Sequence, residues 1–166
     1  MTASLNVDIC VIGAGSGGLT VAAGASQLGV SVVLVERHLM GGDCLNFGCV
    51  PSKALLAAGK AAHNIVHAGR FGVSGGPLHV DNVAVRQHVR DVIAGIAPHD
   101  SVERFRALGV NVIEGSARFT GPREIEVNGQ KIRARRFVIA TGSSPMVPPV
   151  PGLEAVPYLT NETVFD

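Results

Sequence analysis

With 166 residues the chain suits one domain of ordinary size or part of a larger one, and 46% hydrophobic residues with 21 glycines exclude a disordered polypeptide. A net charge of +1, with no basic run beyond the scattered arginines of residues 131–136, argues against nucleic acid as a partner. No apolar run reaches 18 residues and the polar start MTASLN leads straight to Asp8, so neither a membrane span nor a secretory leader is expected and the location is read as cytoplasmic.

Residues 7–12 form a short β-branched apolar run closed by glycine, the pattern of a parallel strand covered on both faces. Cys10 lies inside that run and is read as a small buried hydrophobe. The small residues that follow predict a helix packed closely on a sheet and ending at Gly29, then a second buried strand over 30–35. Strand, glycine-rich turn, helix and strand within about thirty residues make one βαβ unit.

The turn carries Gly13, Gly15 and Gly18 in G-x-G-x-x-G order, enclosing Ser16 and Gly17, and Glu36 stands at the end of the second strand. The first glycine makes the turn, the second lets a pyrophosphate touch backbone, and the third packs helix on strand. Unpaired N–H groups at the helix start face the phosphates, and a carboxylate at Glu36 can accept from a ribose diol. This context predicts dinucleotide binding without choosing between FAD and NAD. Arg37 is read as a solvated side chain rather than a phosphate ligand.

Further on, a helix is predicted over 54–68, another capped by Asp81 and stopped near Pro98, and a short one over 101–108. Strands are expected at 110–114 and 117–120. A hairpin follows, over 124–127 and 131–133, turning at Asn128-Gly129, and a last buried strand covers 137–140. It runs into a small-residue turn, Thr141 to Pro145, and residues 145–157 hold five prolines that forbid regular core.

Two of the three cysteines, Cys44 and Cys49, sit five apart in GGDCLNFGCVPSK. A regular α-helix would hold their Cα atoms roughly 8.7 Å apart, beyond the limit of about 7 Å for a disulfide. The segment is built against regularity: Gly48 loosens the backbone, Gly41 and Gly42 free the approach, and Pro51 lacks the donor that would return to Phe47. Lys53, one turn after Cys49, would favour a thiolate. Three readings stand: a redox pair, a metal half-site and packing thiols. No second spaced pair completes a four-ligand zinc site, so no metal is assigned, and His63 and His67 are read as a solvent-facing pair.

Together the G-x-G-x-x-G turn, Glu36, the segment GGDCLNFGCVPSKALL and the turn Ala140-Thr141-Gly142 resemble the class I pyridine nucleotide-disulfide oxidoreductases, in their mercuric-reductase-like and dihydrolipoamide-dehydrogenase-like branches. The resemblance implies an α/β, Rossmann-like three-layer FAD-binding domain, a parallel sheet with helices plus a small antiparallel β-meander or hairpin, incomplete relative to the family. It implies that residues 1–147 form the FAD-binding part and 148–166 a proline-rich linker toward an absent nicotinamide domain. FAD would be the cofactor, with NADH or NADPH as co-substrate, a small-molecule disulfide or a metal ion such as Hg²⁺ as acceptor, and a homodimer as the complete assembly. Gly13, Gly15, Ser16, Gly17 and Gly18 would hold the pyrophosphate, Glu36 with Arg37 beside it the adenosine ribose, and Gly115, Ser116 and Ala117 would lie near the adenine. Gly42, Lys53, Thr141 and Gly142 would approach the flavin side, and Asp43 would stand near the phosphates. Cys49 would stand nearer the isoalloxazine and Cys44 would meet the substrate. Asp43 departs from the threonine usual in better-known members. A non-catalytic nucleotide-binding module and an NAD-dependent Rossmann dehydrogenase are the alternatives.

Overall fold

The computed structural model describes residues 4–165; the first three residues of the polar start, and Asp166 at the end of the linker expected over 148–166, lie outside. The chain folds as two compact units, Met1–Cys44 with Ile96–Ser144, and Leu45–Gly95 with Pro145–Asp166.

The first unit holds β1 (Leu5–Ile12), α1 (Ser16–Gln27), β2 (Val32–Glu36), α5 (Val102–Ala107), β3 (Asn111–Glu114), β4 (Arg118–Gly121), β5 (Glu124–Val127) and β6 (Gln130–Ile139). Its six strands form one sheet in the order β3-β2-β1-β6-β5-β4. The pairs β3–β2, β2–β1 and β1–β6 are parallel, and β6–β5 and β5–β4 antiparallel. The chain thus moves outward from β1 through β2 to β3 and resumes on β1's other side with β6. That reversal opens a crevice beyond the carboxyl ends of β1 and β6.

Alternation along the strands builds two cores. On one face Val11, Val32, Leu34 and Val112 pack with Leu19 and Ala22 of α1 and Phe105 of α5. On the other, Cys10, Val33 and Val35 meet Ile125 and Val127 of β5 and Ile132 and Ala134 of β6. Helices therefore cover one side of the central strands and the antiparallel extension closes the other, the mixed α/β arrangement expected. Burial raises the Cys10 thiol pKa to about 12, matching its reading as a packing residue.

The α1 helix ends where Gly29 takes φ +76° and the Val30 N–H bonds the Ala25 carbonyl. Val30 is used in that turn and the Ser31 N–H donates to the Asp8 carboxylate, and β2 begins at Val32 and not at residue 30. The Ser101 hydroxyl caps α5 by accepting the Arg104 N–H at 3.2 Å. The separate strands expected over 131–133 and 137–140 are one ten-residue strand, β6. It pairs with β5 through its first four residues and with β1 from Ile132 to Ile139, and Arg133, Arg135 and Arg136 along it are exposed.

In the second unit α3 covers Cys49–His67 and α4 covers Asn82–Ile96. The Asp81 carboxylate caps α4, accepting the N–H groups of Val83 and Ala84 at 2.9 and 3.1 Å. The helix expected from residue 54 starts five residues earlier. Pro51 falls in its first turn, where a missing donor breaks no intrahelical bond. A further short helix that the sequence did not signal, α2 (Gly42–Asn46), precedes it. The proline-rich stretch has no strand and only one 3₁₀ turn, Leu153–Ala155. Among the described residues no helix is long and apolar enough to cross a membrane.

Truncating Leu34, which is fully buried, to alanine is expected to lower unfolding free energy by about 2–5 kcal/mol. The same change at Leu28, 82% exposed, should stay within about 0.5 kcal/mol in denaturant titrations.

Candidate functional site

The loops that follow β1, β2, β3 and β6 meet at one edge of the first unit. Gly13 takes φ +103°, and a Cβ there would collide with the Ala140 carbonyl oxygen and reach the Thr141 Cα at 3.1 Å. A Cβ on Gly18 would strike the Gly13 carbonyl oxygen and press on Val11 at 3.3 Å. A Cβ on Gly42 would lie 2.6 Å from the Gly15 Cα, and Gly15 and Gly41 form an isolated parallel bridge in which the Gly41 N–H donates to the Ala14 carbonyl at 2.9 Å. Three backbone segments are therefore packed without side chains between them. Around Gly15 the space is open except for the Gly42 Cα at 3.9 Å, and Gly17 is open altogether.

No side chain caps the start of α1 at Gly15, and Ser16 and Gly17 are exposed there. The positive end of a twelve-residue helix thus faces the crevice with its first donors available to an anion. Glu36 is half-buried and fixed: one carboxylate oxygen accepts the Ala14 N–H at 2.6 Å and the other the His38 N–H at 2.7 Å. Its remaining lone pairs can still accept from a diol. The Glu36 carbonyl accepts the Gly115 N–H at 2.7 Å, which holds residues 115–117 beside it.

Asn128 supports that turn. Its side-chain amide donates to the Glu114 carbonyl at 2.8 Å, and it leaves no space for a Cβ on Gly115. Sequence reasoning took Asn128 only as a hairpin residue, and the Asn-Gly pair carries no sign of this second contact. The Ala14 N–H to Glu36 bond was missed too, because any residue supplies a backbone donor. Arg37 and Asp43 are exposed, as are Thr141 and Gly142, the latter with φ +65°.

Cys44 is half-buried in α2. In the second unit Cys49 is the first residue of α3 and exposed, and Lys53 stands one turn later, also exposed. Helical conformation stops at Phe47 and Gly48, where Gly48 has φ −129° and ψ −111°. The unbroken helix that would hold the two cysteines too far apart is absent. None of the three cysteines is joined to another by a disulfide. His63 and His67 stack at 4.0 Å between ring centroids, and no group of three metal-binding side chains occurs among the described residues.

A sheet of this order, closed by a glycine turn that excludes Cβ atoms and opens a helix, is the architecture of dinucleotide-binding α/β proteins. The profile of the family described as pyridine nucleotide-disulphide oxidoreductase matches residues 7–165, and the chain belongs to that family. Mercuric reductase of Lysinibacillus sphaericus is 34% identical over 161 residues, covering 97% of this chain and 30% of that protein. Dihydrolipoyl dehydrogenase of Thermus scotoductus is 42% identical over 145 residues, covering 84% of this chain and 30% of its own. The Cu(II) complex of the HOCl-induced flavoprotein disulfide reductase RclA from Escherichia coli superposes with a TM-score of 0.69 at 27% identity, over 90% of this chain and 31% of that one. The chain thus spans about a third of the length of these relatives.

Gly18→Ala is expected to destabilise the fold by more than about 1 kcal/mol because neither backbone can yield, whereas Gly17→Ala should leave thermal stability unchanged or slightly raised. In a thiol-labelling time course at pH 8 on the reduced, folded chain, Cys10 should react only after denaturation, and the other two cysteines well before it.

Proposed function

We propose that this chain is the FAD-binding, disulfide-bearing part of a flavin disulfide reductase. In the complete enzyme NAD(P)H is oxidised while a lipoamide-like disulfide is reduced to two thiols, or Hg²⁺ to elemental mercury. Residues 1–147 carry the cofactor and the cysteines, and 148–166 lead toward a nicotinamide domain. The complete enzyme is a cytoplasmic homodimer. The observation that carries this reading is the stop in helical conformation at Phe47–Gly48, between two cysteines of a family defined by disulfide chemistry.

The crevice suits FAD on its own geometry. The Cβ-free surface at Gly15, Gly41 and Gly42 and the uncapped start of α1 accept a pyrophosphate, and the immobilised Glu36 carboxylate accepts a ribose diol. Gly115, Ser116 and Ala117 offer backbone to the adenine, Thr141 and Gly142 border the flavin side with Gly42, and Asp43 stands toward the phosphates. When bound, FAD supplies hydride acceptance from NAD(P)H and delivery of the electron pair to the disulfide.

The protein's own chemistry is thiol–disulfide exchange. Cys44 as thiolate attacks the substrate disulfide, forming a mixed disulfide and expelling one substrate thiolate. Cys49 then attacks the Cys44 sulfur, releases the second thiolate and closes the Cys44–Cys49 bond. Lys53 stands one helical turn from Cys49 and belongs to the same catalytic group. The net reaction takes NAD(P)H, one proton and a disulfide to NAD(P)⁺ and two thiols. With Hg²⁺ as acceptor, NAD(P)H and Hg²⁺ give NAD(P)⁺, elemental mercury and a proton.

Thiol counting tests this. After mild oxidation of the folded chain, denaturation without reductant should expose one thiol, and denaturation after reduction should expose all three. In Cys44→Ser both conditions should expose two. Three thiols from the oxidised wild-type chain would contradict the reading.

A further inference from the structure

The sheet edge opposite the nucleotide crevice carries a second feature. An open concavity of about 470 Å³ lies at the amino-terminal halves of β1 and β6. Asp8, Ser31, Arg123, Arg133 and Arg135 supply its polar lining, with Val7 among the apolar residues. Asp8 lies five residues before Gly13, so the strand rise separates this cavity from the glycine turn by roughly 16 Å.

The charges do not balance within it. Asp8 is the cavity's acid and is fully engaged. One oxygen accepts from the Arg135 guanidinium at 3.1 Å, and the other from the Ser31 hydroxyl at 2.6 Å and the Ser31 N–H at 3.3 Å. Those hydrogen bonds hold its carboxyl below the ordinary range, so it stays ionised but has little left to offer. Arg133 turns its Nε toward Glu124 at 3.2 Å, and Glu124 also pairs with Lys131 at the same distance. Among the described residues the Arg123 guanidinium has no ion-pair partner. Three guanidiniums thus line one concavity: Arg135 is paired with Asp8 and Arg133 with Glu124, and Arg123 is left without an ion pair among the described residues.

Guanidinium forks present N–H pairs at the spacing of phosphate oxygens, and a bound dianion relieves their mutual repulsion. The space is several times what one phosphate group fills, and its floor is partly apolar. A net charge of +1 leaves no wider basic field of the kind nucleic acid requires. We propose that this cavity binds the phosphate group of a small phosphorylated molecule, with Arg123 and Arg133 as its principal ligands, at a site separate from the nucleotide crevice.

The test is a two-dimensional ¹H–¹⁵N NMR titration of the 166-residue chain with inorganic phosphate and, in a second arm, ribose 5-phosphate, ionic strength being held constant with chloride. Saturable shifts are expected at the Asp8, Ser31 and Arg135 amides in at least one arm. Any shifts at Gly13 to Gly18 should follow a separate binding curve. Arg123→Gln and Arg133→Gln, both at exposed positions, should each raise the half-saturation concentration about five- to tenfold, the loss of one partly solvated charge-assisted bond. Tighter binding of the ester would identify a phosphorylated molecule as the ligand, and equal binding would identify free phosphate; either supports the phosphate site. The absence of saturable shifts at these three amides in both arms, or unchanged half-saturation in both variants, would overturn it.

Discussion

The first unit depends on backbone packed directly against backbone. Gly13 lies against Ala140 at the end of β6, Gly18 against the carbonyl of Gly13, and Gly42 against Gly15. Each contact occupies the space where any other residue would place a Cβ. Because β1, β6 and the start of α1 can approach this closely, the first donors of the helix reach the sheet's carboxyl edge. The same approach lets Glu36 hold the loop through the Ala14 N–H. The open helix start and the close strand packing are consequences of the same missing side chains.

The two ends of the central strands then carry different chemistries. At the carboxyl end the field comes from helix and backbone dipoles, and apart from Glu36 the side chains contribute little. At the amino end it comes from guanidiniums on the antiparallel extension, gathered near β1 because β6 is one strand paired on both edges. Cysteine chemistry is governed by the same variables of burial and backbone freedom. Cys10, sealed in the core, is held as an inert thiol, whereas Cys49 is exposed at the start of a helix that begins only after Gly48. No regular helix runs through both Cys44 and Cys49, because helical conformation stops at Phe47 and Gly48.

Local signals made most of the fold legible. The turn glycines, the Asp81 and Ser101 caps and the apolar runs of β1 and β2 all act over a few residues, and the structure places them close to where the pattern does. The misreadings arise where partners distant in sequence decide. Nothing in residues 130–139 shows that β1 pairs with most of the stretch, so it reads as two separate strands. Pro51 reads as one of the features that work against a regular helix, whereas in the first turn of α3 its missing donor breaks no intrahelical bond. The G-x-G-x-x-G turn, Glu36 and the family were legible because each glycine has its own steric task. The buttress at Asn128 and the guanidinium cavity were not, since both form only when β1, β3, β5 and β6 come together.

The central claim is that a reducible Cys44–Cys49 pair works with a bound flavin. Anaerobic dithionite titration of the oxidised chain saturated with FAD, followed by absorbance, measures it directly. Four electrons should be taken up per bound FAD, two by the cofactor and two by the disulfide, falling to two in Cys44→Ser. An uptake of only two electrons by the wild-type chain would contradict the account.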